Sequence, residues 1–304
     1  MALCGLIAGL LVGTGMNAEA VTIAHGGDSV DIDFVDIGNV GNAADTTGYG
    51  AVGYDYSIGT YEITADQWAT VTGFDANIET GSLSDPWSGS QPTANTSWYE
   101  AAKLANWLTS GNALQGAYQF SDATTFTGVD RDAALATYMT IYVLPSEDEW
   151  YKAAYLKSDG SGYTTYATGD TTPDGIDSLG DTTYDSVYND GFNNGSPLAV
   201  GGGTAENNGT YDMGGNVFEW GESAFDGTLD DPNESRVLRG GYGNTSSDAL
   251  QSSGRNLGNP VLEDNGVGFR VASVSAAVAV VPEPSSVGLL VIGAMGCVLR
   301  RKRG

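Results

Sequence analysis

Asn207-Asn208-Gly209-Thr210-Tyr211-Asp212-Met213-Gly214-Gly215-Asn216-Val217-Phe218-Glu219-Trp220 is the stretch around which the rest of the chain can be read. Its glycines bracket a short segment of aromatics and carboxylates. Glycine tolerates positive φ and close backbone approach, so Gly214-Gly215 followed by Asn216 predicts a tight bend rather than a helix. Beyond the bend, Val217 to Trp220 predicts a short strand, with Val217 and Glu219 on one face and Phe218 and Trp220 on the other. A carboxylate beside exposed turn carbonyls offers the all-oxygen surroundings that Ca²⁺ prefers. The same residues also fit a buried turn in which Glu219 accepts backbone N–H bonds.

Outward from this stretch, the composition narrows the classes available. With 304 residues, 41% hydrophobic and 16% charged, the chain can bury a large core, and its 44 glycines predict many turns. Lys+Arg 12 against Asp+Glu 38 leaves a formal charge of −26, and Arg300, Arg301, Lys302 and Arg303 crowd into the terminus. Phosphate backbones need a basic face, so nucleic acid is excluded as a partner. Cys4 and Cys297 lie in the first and last apolar runs, so the region between them can form no disulfide, thiolate metal site or cysteine nucleophile. The one histidine, His25, is expected in the mature N-terminal tail, which excludes a Ser-His-Asp triad and a multi-histidine metal site.

Residues 1–20 read as a signal peptide, with an apolar run from Leu3 to Gly13 and a small-x-small exit at Ala18-Glu19-Ala20. They lack a basic n-region, as expected if translation starts upstream. From Val30 to Gly59, alternation and Gly-Asn and Thr-Gly pairs predict short strands joined by turns. Thr64-Ala65-Asp66-Gln67, Ser97-Trp98-Tyr99-Glu100 and Ser146-Glu147-Asp148-Glu149 are capping boxes, each opening a helix. The second helix carries an amphipathic stripe of Trp98, Ala101, Ala102, Ala105 and Leu108 and stops at Gly111. Glu62 is expected to be buried and bonded to a nearby helix N-terminus, and Glu147 and Glu149 to serve the helix dipole. Ser158 to Gly203 predicts a long excursion of loops. Arg239 and Arg270, rare cations in an acidic domain, are expected to pair with carboxylates. After Val281-Pro282-Glu283-Pro284 come an apolar run, Ser286 to Leu299, and a basic tail, so residues 276–304 predict a short membrane helix oriented with Arg300 to Arg303 inside.

The quoted stretch resembles the Asn-Gly-Leu-Tyr-Asp-Met-x-Gly-Asn-Val-x-Glu-Trp signature of the formylglycine-generating enzyme, or sulfatase-modifying factor, family. Five other stretches resemble that family in the same order. They are Ile58-Gly59-Thr60-Tyr61-Glu62-Ile63-Thr64, Ser97-Trp98, Leu144-Pro145-Ser146-Glu147-Asp148-Glu149-Trp150 with Val143 in place of arginine, and Arg236 to Tyr242 followed by Gly268-Phe269-Arg270-Val271-Ala272. The resemblance implies an irregular, loop-rich α+β fold similar to C-type lectins over residues 21–275. It also implies Ca²⁺ held by the carbonyls of Gly215 and Val217 and the carboxylate of Glu219, with Asn216 shaping the turn.

Active members oxidise a substrate cysteine with O₂, copper and two cysteines placed between the Arg-Gly-Gly strand and the closing Gly-Phe-Arg. Between Gly241 and Gly268 this chain has no cysteine, so no copper is expected and no catalytic residue is assigned. Related members with a histidine-rich iron site are excluded by the lone His25.

The C-terminal segment resembles the PEP-CTERM sorting signal of bacterial exported proteins, which implies exosortase-type machinery as a partner. It also implies an envelope, surface or extracellular-matrix destination, reached through a transient inner-membrane anchor. Two functions are expected from this set: an exported, non-oxidase binding or structural module for a surface or matrix peptide or glycan, or an enzyme with a cysteine-independent reaction.

Overall fold

A computed structural model describes residues 18–176, 181, 183–189, 195–229 and 231–276. Most of the expected signal peptide and the apolar C-terminal run with its basic tail lie outside the described residues. Among those described, no helix is long and apolar enough to cross a membrane.

The strands are β1 (Glu19–His25), β2 (Asp28–Ile37), β3 (Tyr56–Gly59), β4 (Tyr118–Asp122), β5 (Thr125–Val129), β6 (Thr140–Val143), β7 (Phe218–Ala224), β8 (Arg236–Arg239), β9 (Asn256–Gly258), β10 (Val267–Gly268) and β11 (Ala272–Ser275). The helices are α1 (Ala65–Phe74), α2 (Trp98–Ser110), α3 (Arg131–Tyr138) and α4 (Glu147–Tyr155). An antiparallel five-stranded sheet runs in the order β1-β2-β3-β11-β6, a four-stranded sheet in the order β10-β7-β8-β9, and β4–β5 form a separate hairpin.

The expected alternation in β2 holds, with Val30, Ile32 and Phe34 buried. Its partner β1 was not expected. The Gly26-Gly27 turn folds residues 19–25 back onto β2, with Val21 opposite Ile32. His25 is therefore not in a tail; its Nε2 lies 3.0 Å from the Leu108 carbonyl and its ring meets Trp107 edge-on.

All three capping boxes form as read, on Thr64 and Gln67, Ser97 and Glu100, and Ser146 and Glu149. Gly111 ends α2 at φ +77°. This helix is not amphipathic in its surroundings, because Lys103, Asn106 and Thr109 are buried along with its apolar stripe. Loops pass over its polar side as well as its apolar one, so Asn106 bonds Ala113 and Tyr118 and Lys103 bonds Thr80. Trp98, Trp150 and Trp220 are the largest of the buried apolar side chains, and each indole N–H finds an oxygen: the Gly221 carbonyl, the Glu219 carboxylate and the Thr96 carbonyl.

Candidate functional site

The central stretch folds as a bend leading into a strand. Asp212 and Asn216 adopt positive φ (61° and 60°), as does Gly215 (104°). At Gly215 a Cβ would collide with the Val187 carbonyl, so both the conformation and the space require glycine. Asn216 locks the loop: its N–H donates to Val187 O and its Oδ1 accepts from Leu198 N, both at 2.9 Å. Val217 and Glu219 are buried, and β7 begins at Phe218.

Glu219 finds a partner other than backbone N–H groups. Arg270 donates from Nε to Oε2 (2.7 Å) and from Nη2 to Oε1 (2.6 Å), and Trp150 Nε1 donates to Oε2 (2.8 Å). The remaining Arg270 donors reach the carbonyls of Gly59, Thr60 and Tyr211. One buried guanidinium thus joins β7, the end of β3 and the central stretch, with every N–H used. Arg239 pairs as expected too, with Glu147, which it shares with Arg255. Glu149 closes its capping box and also binds Arg131, so both glutamates of that motif do more than serve a helix dipole.

Glu62 departs from expectation. It is 1% exposed, and neither carboxylate oxygen has a hydrogen-bond partner. It serves no helix N-terminus, because the Thr64–Gln67 box and the carbonyls of Gln91 and Gly89, which accept from Ala65 N and Asp66 N, already satisfy the start of α1. Burial pushes its carboxyl well above the usual range, and the neighbouring Asp212 charge adds to this. Burial likewise pushes Asp212 up to about 7, although Gly201 N–H donates to its Oδ2 at 2.7 Å. Glu206 is pushed up to about 8 by burial, despite bonds from Thr210 and Met213.

Glu62, Glu206, Asp212 and Glu219 therefore surround Arg270 with more negative charge than one guanidinium neutralises. Such a surplus must be met by protons or by a cation. Among the described residues, no three His, Cys, Asp or Glu side chains converge as a ready-made metal centre. The orphaned oxygens of Glu62 beside Asp212 nevertheless fit a hard cation, whereas Glu219 is already engaged by Arg270 and Trp150. Asp212 lies within the quoted stretch, yet its part in the charge cluster was not legible. Asp at positive φ in a glycine turn reads locally as turn chemistry, and its partner Glu62 is remote in sequence.

Residues 14–274 match the family described as "Sulfatase-modifying factor enzyme 1-like domain", and residues 280–303 match the PEP-CTERM protein-sorting motif. No curated protein matches the chain. Among solved structures, the chain is similar to Treponema denticola variable protein 1, with 20% identity, a TM-score of 0.57, and coverage of 84% of this chain and 98% of that one. It is similar to CarF at 22% identity and a TM-score of 0.57, covering 79% and 97%. It is also similar to PvdO from Pseudomonas aeruginosa at 15% identity and a TM-score of 0.53, covering 84% and 97%. These likenesses establish the fold, a loop-rich α+β arrangement of the C-type-lectin-like, formylglycine-generating-enzyme type.

Proposed function

Because the chain belongs to the family of sulfatase-modifying factor enzyme 1-like domains and carries a PEP-CTERM motif that implies export to the cell envelope, we propose that it is an exported, non-oxidase binding or structural module. The observation that carries this reading is the absence of cysteine between Gly241 and Gly268. Copper(I) in the oxidase chemistry needs thiolate ligands, and hydroxyls or carboxylates do not substitute for them. The scaffold without its oxidase residues remains a rigid platform for loops, and function follows from sites on a fold rather than from the fold. Incubating the full-length chain with Cu(I) and sulfatase-type cysteine peptides should yield no formylglycine by mass spectrometry; its appearance overturns the reading. Capture of envelope components on the immobilised protein would then identify the surface or matrix ligand.

The sorting segment supports a route in which the C-terminal apolar run is a transient anchor and an exosortase-type protease cuts near Pro282-Glu283-Pro284. Intact mass from envelope and medium fractions should begin near Val21 and end near Pro284. Recovery of full-length cytoplasmic chain alone overturns this route.

Calcium belongs to the same proposal. Gly215, Val217 and Glu219 mark the bend. Of the carboxylates around Arg270, Glu62 and Asp212 act on each other and the Glu62 oxygens have no hydrogen-bond partner, so these two would hold Ca²⁺, and Glu219 would remain with Arg270. The ion would supply structural neutralisation. Calcium should raise the melting temperature relative to chelator through its preference for the folded chain, and Glu62→Gln with Asp212→Asn should remove that increment. Identical melts with calcium and with chelator would sink the idea.

A further inference from the structure

Away from the charge cluster, a cleft of about 420 Å³ opens between the N-terminus of α2, the turn of the β4–β5 hairpin and the loop at Thr80-Gly81. That volume is within the range of small-molecule sites, roughly 300–1,000 Å³. Lys103, buried beneath the cleft, donates from Nζ to Thr80 Oγ1 (2.6 Å) on one wall and to the Ala123 carbonyl (3.1 Å) on the other, fixing their separation. An ammonium can only donate, and burial lowers this one only to about 8, so near neutral pH Thr80 Oγ1 is the acceptor and keeps its own hydrogen to give.

On the opposite wall Thr124 Oγ1 donates to Asp122 (2.9 Å), whose carboxyl the Thr124 backbone N–H holds below its usual value. An ionised carboxylate can only accept, so Thr124 keeps its lone pairs. The cleft walls therefore carry a hydroxyl hydrogen at Thr80 and hydroxyl lone pairs at Thr124, a pairing that a ligand hydroxyl satisfies by accepting from one and donating to the other.

Tyr99, half-buried and backed by the buried Phe126 with centroids 5.7 Å apart, adds aromatic surface to the lining, which suits the apolar C–H face of a pyranose. The charged residue on the lining is Glu263, and burial raises the nearby Glu79 carboxyl, with the charges of Glu100, Asp85 and Glu263 close enough to add to this. These carboxylates outnumber the single ammonium of Lys103 beneath the cleft, and that balance opposes phosphates, sulfates and uronates.

We propose that this cleft binds a neutral oligosaccharide, an inference that rests on the domain being a binding module. The full-length chain in mild detergent is titrated calorimetrically with cellotetraose, chitotetraose and maltotetraose, with tetragalacturonate as the anionic control. At least one neutral sugar should bind. Thr124→Lys, an exposed turn substitution that fills the cleft, should weaken binding at least tenfold with an unchanged melting temperature. Asn233→Ala on the rim should weaken it by a smaller factor. Failure of every neutral sugar, binding that survives Thr124→Lys, or equal binding of tetragalacturonate overturns the proposal. An envelope component captured equally by the wild-type and Thr124→Lys chains would refute the cleft while leaving the binding-module reading in place.

Discussion

Glu206 is buried with two neutral donors, Thr210 Oγ1 on Oε2 and Met213 N–H on Oε1, both at 2.8 Å. Burial raises its carboxyl to about 8, against about 4.3 in an unfolded chain. The folded state then holds its proton more tightly than the unfolded state. Its stability contribution is fullest below the unfolded value, falls as pH rises from about 4.5 to about 8, and is level above. Glu206→Gln keeps an acceptor for Met213 without the charge. The urea midpoint of the variant should fall less over that window, a difference on the order of a few kcal/mol near pH 8. Parallel midpoint curves for the two proteins would refute this. Glu62 and Asp212 act with the same sign, so the difference between variant and parent is what isolates Glu206. At this scale the pairing of Arg239 and Arg270 was legible, because a scarce cation in an acidic chain must find carboxylates. The orphan state of Glu62 was not, since it depends on what Asp212, distant in sequence, brings beside it.

Capping boxes were readable because a hydroxyl and a Glu or Gln side chain three residues apart complete their own bonds. The Ser97–Glu100 box goes further: Glu100 Oε1 also accepts from Thr80 N (2.8 Å) and Gly81 N (2.6 Å), so a helix cap holds the loop that walls the cleft. Ser97→Ala should cost about 0.5–2 kcal/mol, the usual range for a lost cap. Glu100→Ala should cost more, since it also strands the two loop N–H groups. Equal losses in chemical denaturation would show that Glu100 does not hold the loop. The β1–β2 and β4–β5 hairpins were missed for different reasons. Residues 19–25 overlap the signal-peptide exit, which obscured a strand, and the β4–β5 pairing is broken by register shifts that erase a clean alternation. The 158–203 excursion was legible from composition and, among the described residues, contains isolated bridges rather than strands or helices.

For the whole molecule, the recognisable stretches meet: α2 packs at the centre, Trp98 bonds Gly221, Trp150 bonds Glu219, and Arg270 ties three segments. Residues 21–275 should therefore melt in one transition, and limited proteolysis should cut the 158–203 loops or the ends; stable separate halves would refute this. The five-stranded sheet also constrains when such a chain can become protein. β11, from the end of the domain, lies between β3 and β6, and Ala272 faces Ile58 on one side and Val143 on the other. Until that strand emerges, β3 and β6 have no common neighbour and the sheet stays open in its interior. A chain crossing a membrane from its N-terminus would thus remain unclosed until nearly the whole domain had passed, and would reach its final form only beside the point where its sorting segment begins.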